Sequence, residues 1–386
     1  MRDPQYTTGN RLGGLVRYIE RLGCAAARSR TGSSHSQASS RSIRLSLALL
    51  MALGTGAFAL SACGDLVSAK TYSVKNWSDV QDTIDGASSG DIFDFSGMGM
   101  PDTAYTFSIP ANLALTLKGD PEVTYIGVAF NCIGSNVITL DNLNLVSTGN
   151  QNFSTLHFSG KSNQLMLLGD SSIANAQAPA EIGYGAAIGV PEGVALVITG
   201  SGSLVAAGGS SAAGIGGGAY SACGNITVNG GSIAASGGSL EPGSGAAAIG
   251  GGAGGSAGAI TIRGGSIYAL ATDGAAAIGG GVGSSGGNIA ISGGTITARG
   301  ISGAVGLGDG VQGYGASITM TKGTLTVIGD VDTGTASING NIESLPTAYQ
   351  WWAARSFASE SDAGNSYPEN AYVNDSTYGF IIIKSR

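Results

Sequence analysis

Cysteine, histidine and carboxylate side chains are the groups of this chain that could do nucleophilic or acid–base chemistry. A cysteine nucleophile needs a histidine base within hydrogen-bond reach. Beyond residue 63 the chain holds one histidine, His157, and two cysteines, Cys132 and Cys223. His157 has apolar neighbours on both sides and no partner close in sequence, so we predict a structural role for it.

The carboxylates are scattered. Glycosidases need two carboxylates that converge on one bond, and polysaccharide lyases need a base beside a cation. Between Ser203 and Gly329 the charged residues do not recur at equivalent spacings; they are Glu241, Arg263, Asp273, Arg299, Asp309 and Lys322. Asp91, Asp94 and Asp102 lie together earlier in the chain. We interpret these charges as solubilising groups, and the sequence predicts no catalytic residue, metal ligand or cofactor.

Aliphatic residues return at a fixed spacing through the middle of the chain, which indicates a repeated structural unit. One column, with separations of 27, 34, 29 and 29 residues, comprises Ile188, Ile215, Ile249, Ile278 and Leu307. Two more columns share the step of 34; they are Val197, Ile226, Ile260, Ile289, Ile318 and Leu204, Ile233, Ile267, Ile296, Leu325. The shared step predicts one insertion of five residues, which we place at Leu240–Ser244.

Each repeat contains three strand-length segments divided by glycines. Segments such as Ile260-Thr261-Ile262 alternate apolar and small polar residues, as a strand with one buried face does. The density of glycine disfavours helices, and no glycine run is followed by the Lys-Ser or Lys-Thr of a phosphate-binding loop. We predict an all-β fold, a right-handed parallel β-helix with about 29 residues per turn and glycine corners.

The repeat also bears on the cysteines and the threonines. Cys132 and Cys223 would lie about three turns, or roughly 14 Å, apart, which exceeds the reach of a disulfide. We therefore expect two buried free thiols. An outward threonine ladder of the ice-binding type needs threonine at every turn, but Ala290 interrupts the series Thr227, Thr261 and Thr319.

Residues 73–88 precede the repeats and show helical spacing of Trp77, Val80 and Ile84. With the turn and strand that follow, they resemble the opening of pectate-lyase-like β-helices, in which an amphipathic helix caps the first turn. The resemblance implies a capping helix at 73–88 and a β-helix over 89–335, with regular Gly-rich repeats at about 186–330. Ile138–Leu145 fits a pair of strands around an asparagine corner.

An uncharged apolar run extends from Leu45 to Leu60, behind a basic edge at Arg41–Arg44. It is shorter than a bilayer span and has the pattern of a signal peptide. The run ends in Leu60-Ser61-Ala62-Cys63, which resembles a bacterial lipobox. The resemblance implies that residues 1–62 are a leader and lipoprotein signal peptide, and that residues 63–72 are a tether.

Cys63 would then be the first mature residue, and its lipid would hold the protein at the cell membrane, facing the cell surface or the periplasm. The alternative is an ordinary signal peptide cleaved nearby, and both predict export. Without the leader the chain has ten basic and twenty-three acidic residues, a formal net charge of −13. This charge disfavours nucleic acid and anionic membrane surfaces as partners.

Residues 336–386 are rich in aromatic side chains. They resemble a tail that follows Gly-rich repeats in bacterial adhesin-like or carbohydrate-binding-domain surface proteins. Aromatic rings can stack on the apolar faces of sugars, so the candidate carbohydrate-binding residues are Tyr349, Trp351, Trp352 and Tyr378. The alternative is that these aromatic side chains cap the last turn.

The sequence as a whole predicts an exported, lipid-anchored, non-catalytic surface protein that binds carbohydrate or acts as an adhesin. Its expected partners are the membrane, through the lipid on Cys63, and glycans, extracellular matrix or a host surface. A structural spacer with no ligand is the alternative. A polysaccharide lyase or glycoside hydrolase on a β-helix scaffold is the third hypothesis, since the fold hosts such enzymes but does not determine function.

Overall fold

The computed structural model describes residues 69–148, 153–175, 177–178, 181–182, 184–329, 338–339, 341–344, 349–354, 365–367 and 380–385. These residues form an all-β protein with thirty-one strands. Helical structure within them is limited to a 3₁₀ turn at Trp77–Asp79 and helix α1 at Val80–Asp85. The all-β prediction is confirmed.

The strands are numbered in chain order. Those before residue 184 are β1 (Thr71–Ser73), β2 (Ile92–Asp94), β3 (Tyr105–Ile109), β4 (Ala114–Lys118), β5 (Thr124–Ile126), β6 (Val128–Cys132), β7 (Val137–Asp141), β8 (Asn144–Ser147), β9 (Leu156–Phe158), β10 (Asn163–Leu167), β11 (Asp170–Asn175), β12 (Gln177–Ala178) and β13 (Glu181–Ile182). Those of the Gly-rich repeats are β14 (Ile188–Gly189), β15 (Ala195–Gly200), β16 (Ser203–Ala207), β17 (Ile215–Gly216), β18 (Asn225–Val228), β19 (Ser232–Ser236), β20 (Ile249–Gly250), β21 (Ile260–Ile262), β22 (Ser266–Ala271), β23 (Ala276–Gly279), β24 (Asn288–Gly300), β25 (Val305–Gly308) and β26 (Ser317–Ile328). The last are β27 (Ile338–Asn339), β28 (Asn341–Ser344), β29 (Tyr349–Ala354), β30 (Asn365–Tyr367) and β31 (Phe380–Ser385).

The strands pair along three ladders, which the chain visits in turn. The first ladder runs in parallel through β1, β2, β4, β7, β10, β15, β18, β21, the first halves of β24 and β26, and β28. The second runs in parallel through β5, β8, β11, β16, β19, β22 and the second halves of β24 and β26. The third runs in parallel through β3, β6, β9, β14, β17, β20, β23, β25 and β27. The chain is thus built from stacked sheets of parallel strands.

At the end of the second ladder the strand pairing changes from parallel to antiparallel. Strand β31 pairs antiparallel with the second half of β26, β29 pairs antiparallel with β31, and β30 with β29. A separate antiparallel pair joins β12 to β13. The C-terminal strands therefore cover an edge of the last parallel strand that would otherwise carry unpaired backbone groups.

Two of the three predicted columns match the register. The column that begins at Ile188 lies in the third ladder, and the column that begins at Leu204 lies in the second. The third column was wrong at its first member, because Leu196, and not Val197, lies opposite Ile226. Leu196 is buried whereas Val197 is half-exposed, and Leu196 precedes Leu204 by eight residues, one more than the seven by which Ile226 precedes Ile233.

The predicted insertion at Leu240–Ser244 lies in the loop between β19 and β20, with residues 240–243 exposed and Ser244 buried, and the register is continuous on both sides of it. Ser244 Oγ accepts hydrogen bonds from the N–H groups of Leu240 and Glu241 at 3.1 and 2.9 Å. The loop is thereby closed without disturbing the stacked strands. The predicted asparagine corner is Asn142, which lies between β7 and β8 with a φ of 54°.

Helix α1 and the preceding 3₁₀ turn lie inside the range 73–88 that the sequence indicated, but α1 is only six residues long. Trp77, Val80 and Ile84 are buried as their spacing predicted. The ring of Trp77 stacks 5.7 Å from that of Phe95 and 6.3 Å from that of Phe107. The segment therefore covers the aromatic core of the first turns.

Candidate functional site

The two cysteines are buried free thiols, as predicted. Burial in an apolar interior raises the pKa of both, and it raises that of Cys223 to about 12. A nucleophilic cysteine needs a lowered pKa and some exposure. Neither thiol is therefore suited to attack a substrate at neutral pH.

His157 lies on the outer side of the third ladder, opposite Asn131 on one side and Gly189 on the other. Its Nδ1 and the Oδ1 of Asn131 are both buried without a hydrogen-bond partner among the described residues. Burial lowers the pKa of the imidazole. A Cβ added to Gly189 would lie 2.7 Å from His157 Nδ1, so the glycine makes room for the ring. The site holds a neutral histidine and no carboxylate opposite it in the ladder.

The early aspartates are structural and not merely solubilising. Asp91 is buried, and its carboxylate accepts the N–H groups of Lys70 and Ser88 at 2.8 and 2.9 Å. Burial works to raise its pKa, but these two hydrogen bonds, the charge of Lys70 and a hydrogen bond from Tyr72 together hold the pKa below its usual value. Asp94 pairs with Lys118 Nζ at 2.8 Å, and Asp102 accepts the hydroxyl of Tyr105 at 2.9 Å.

Asp309 is a second departure from the solubility interpretation. It is buried in the last Gly-rich turn, where its carboxylate accepts the N–H groups of Gly286 at 2.8 Å and Ala316 at 3.1 Å. In the part of the chain that the structure describes, no three His, Cys, Asp or Glu side chains converge as metal ligands would. Within the same residues no helix is long and apolar enough to cross a membrane.

Three of the four candidate carbohydrate-binding residues lie on one strand. Tyr349, Trp351 and Trp352 belong to β29, where Trp351 pairs with Ile383 and Trp352 with Ile382. Tyr378 and the predicted lipidation site Cys63 lie outside the described residues. The structure therefore brings three of the predicted residues into the C-terminal antiparallel sheet.

Ile382 and Ile383 show which side of that sheet is covered. Ile383 is 2 % exposed and pairs with Leu325 on the core side of the second ladder, whereas Ile382 pairs with the half-exposed Thr326 on the opposite side. Ile382 is nevertheless only 5 % exposed. The last strands are therefore covered on both sides at this position.

Two tyrosines that the sequence analysis did not select are the most exposed aromatic side chains among the described residues. Tyr220 is 71 % exposed and Tyr314 is 86 % exposed. Both lie in the glycine-rich loops that join the third ladder to the first. The repeat alignment carried a signal for Tyr220, because glycine occupies the equivalent position in the two following turns.

Comparison of the chain with protein-family models, with curated proteins and with solved structures gave no match.

Proposed function

We propose that this chain is an exported, lipid-anchored, non-catalytic surface protein that binds carbohydrate as an adhesin. The proposal includes a right-handed parallel β-helix of about 29 residues per turn, of the pectate-lyase-like kind. Paired strands at this sequence separation, as between Ile249 and Ile278, support the turn length. Export and the lipid on Cys63 rest on the signal-peptide pattern of residues 41–63.

The observation that carries carbohydrate binding is the aromatic strand β29, which is built into the end of the stacked sheet by pairing with β31 and β30. A strand paired on both sides has a fixed backbone, so little backbone freedom is lost when a ligand binds there. Sugar rings present apolar faces on which such groups stack.

The register divides the candidates between the two sides of the sheet. Successive residues of a strand belong to opposite sides, so positions 349 and 351 share the side of Ile383, and position 352 shares the side of Ile382. Because Ile383 belongs to the core of the last turn, we assign Tyr349 and Trp351 to capping. We assign Trp352, on the side away from that core, to the sugar; its neighbour Ile382 is itself covered on this side, so the assignment requires a ring that reaches past that cover.

A glycan array probed with the full chain, extracted in detergent, tests this assignment. Trp352→Ala should reduce binding roughly tenfold with little change in thermal stability, because one stacking contact is lost. Trp351→Ala is the matched variant on the same strand, and it should lower stability more than it lowers binding. Equal losses of binding and stability for both variants would contradict the division of roles.

The anchor is tested separately. Cys63→Ser should move the protein from the membrane fraction to the soluble fraction, because the thiol that would take the lipid is gone. Mass spectrometry of the N-terminal peptide should find a lipid on Cys63 in the parent chain. Membrane association that survives Cys63→Ser would overturn the lipid anchor but not carbohydrate binding.

A structural spacer is the second candidate, and the continuous in-register stacking of the third ladder from β14 to β25 favours it, because such a stack is stiff along its axis. Absence of binding to every glycan tested would favour the spacer. Depolymerisation of a polysaccharide would instead favour the lyase or hydrolase hypothesis.

A further inference from the structure

Four loops of the Gly-rich repeats stack on one another in register. They are the nine-residue segments 217–225, 251–259, 280–288 and 309–317, each of which follows a third-ladder strand and leads into a first-ladder strand. Asn225, Asn288 and Ser317 are also the first residues of β18, β24 and β26. Equivalent backbone hydrogen bonds join successive loops: Gly252 N to Ser221 O, Gly281 N to Gly255 O, and Gly310 N to Ser284 O, at 3.0 to 3.2 Å. The loops therefore extend the order of the strands beneath them.

Each loop begins with the same tight turn. The turn has four residues, and the N–H of the fourth donates a hydrogen bond to the carbonyl of the first. Examples are Ser221 N to Gly218 O at 3.1 Å and Gly255 N to Gly252 O at 2.8 Å. The third residue of every turn has a positive φ, and the four residues are Tyr220 (56°), Gly254 (66°), Gly283 (74°) and Gln312 (66°). Such a turn favours glycine at its third position.

Tyr220 is therefore held in a conformation that is unfavourable for a bulky side chain. The turns at Gly254 and Gly283 show that glycine satisfies the same geometry without strain. The Tyr220 ring does not gain burial in return, because most of its surface is exposed. A strained and exposed aromatic residue where the fold favours glycine points to a role in contact with a ligand.

The exposed residues of the four loops carry no charge, because Asp309, the one charged residue in them, is buried. Tyr220 leans over the next loop, since a Cβ added to Gly254 would lie 3.7 Å from its Cδ1. The two intervening loops contain only glycine, alanine, valine and serine up to residues 258 and 287. Tyr314 takes the position that Ser256 and Ser285 hold in those loops, and three turns, roughly 14 Å, separate the loops of the two tyrosines.

We propose that Tyr220 and Tyr314 are the two ends of a binding surface for an uncharged linear oligosaccharide, which lies across the stacked loops. The inference rests on the proposed carbohydrate-binding function and adds a second sugar-binding surface to the one proposed on β29. The exposed loop residues offer no charge to attract a charged polymer, and the spacing of the loops requires an elongated ligand to reach both tyrosines. The tyrosine rings stack on sugar faces, and the serine hydroxyls and loop backbone bind sugar hydroxyls.

The test uses the full chain in detergent and an array of neutral linear glucans, mannans and xylans, followed by titration with the member that binds best. Tyr220→Gly should weaken binding roughly tenfold or more while thermal stability is kept or raised, because the glycine relieves the turn. Tyr314→Ala should weaken binding to a similar degree. Gln312→Gly is the matched control, since it relieves the same kind of turn without removing a ring, and its binding should equal that of the parent chain.

The outcomes separate this inference from the broader proposal. Binding that is unchanged in Tyr220→Gly and Tyr314→Ala would overturn the tyrosine surface and leave carbohydrate binding in place. A parent chain that binds no glycan would overturn both. Tyrosine-dependent binding to charged polysaccharides alone, or to a protein, would overturn the neutral oligosaccharide as the ligand.

Discussion

The early turns, residues 69–175, and the Gly-rich turns, residues 184–329, belong to the same three ladders but fill them in opposite ways. The early core is aromatic: the ring of Phe130 lies 6.1 Å from that of Phe95 and 5.6 Å from that of Phe107. Within residues 184–329 the later core contains no aromatic side chain and is rich in isoleucine and alanine, as in the buried run Ala246–Ile249. The same register thus accommodates aromatic rings at one end and aliphatic side chains at the other.

The corners differ in the same way. Early corners are held by buried amides: Asn163 Oδ1 accepts the N–H of Asn136, and Asn136 Oδ1 accepts the N–H of Leu113. At later corners the backbones of successive turns are in direct contact, since a Cβ added to Gly250 or Gly279 would overlap a carbonyl oxygen of the next turn. We therefore expect the stability of the early turns to be sensitive to loss of side-chain volume, and that of the later turns to addition of side-chain volume.

Loss of volume in the early core should have the largest effect. Phe130→Ala is expected to lower the free energy of unfolding by about 3–5 kcal/mol, because a fully buried ring leaves a cavity. Urea unfolding measures the change. Phe153→Ala, at a half-exposed position of the same region, is the control and should cost less than about 1 kcal/mol. Similar costs at both positions would contradict an aromatic core in the early turns.

Gain of volume in the later turns should come next. Gly279→Ala is expected to cost about 2–4 kcal/mol, because φ is 140° and the new methyl group would overlap the Gly308 carbonyl. Gly283→Ala shares the positive φ, 74°, but opens into free space, so it should cost only about 1 kcal/mol. If the two variants unfolded at the same urea concentration, close backbone contact would not be what requires the later glycines.

A pH titration should give the smallest effect and sharpen the role of His157. Its folded pKa lies below the unfolded value of 6.5 because of burial, so the unfolded chain takes up the proton first as the pH falls. Stability should therefore decline below pH 6.5 and be unaffected by this group above it. His157→Gln should remove that part of the decline. If stability depended on pH in the same way in the variant, burial of His157 would not be what keeps its imidazole neutral.

Periodicity in the sequence was enough to predict two columns and the insertion, because each depends on residues that repeat. It failed at Val197, since both Leu196 and Val197 are apolar and a constant spacing of 29 leads to Val197, whereas the first of these turns has one extra residue between the two ladders. The antiparallel pairing of β31 with β26 was not predictable either. Which strand covers an open edge depends on the whole stack, and composition does not encode it.

The candidate site was predictable only in part. Aromatic composition led to Tyr349, Trp351 and Trp352, but the division of β29 between two sides required the register with Ile382 and Ile383. Tyr220 could have been found by aligning it with Gly254 and Gly283. Its positive φ and its exposure are properties of the folded loop.

The central proposal is that the chain binds carbohydrate and does not cleave what it binds. Prolonged incubation of the full chain with the polysaccharide that it binds best, followed by assay of reducing ends and of unsaturated sugar products, tests it directly. We predict saturable binding with no increase in either product over the protein-free control. Binding accompanied by new reducing ends or unsaturated ends, or no binding to any polysaccharide, would contradict the account.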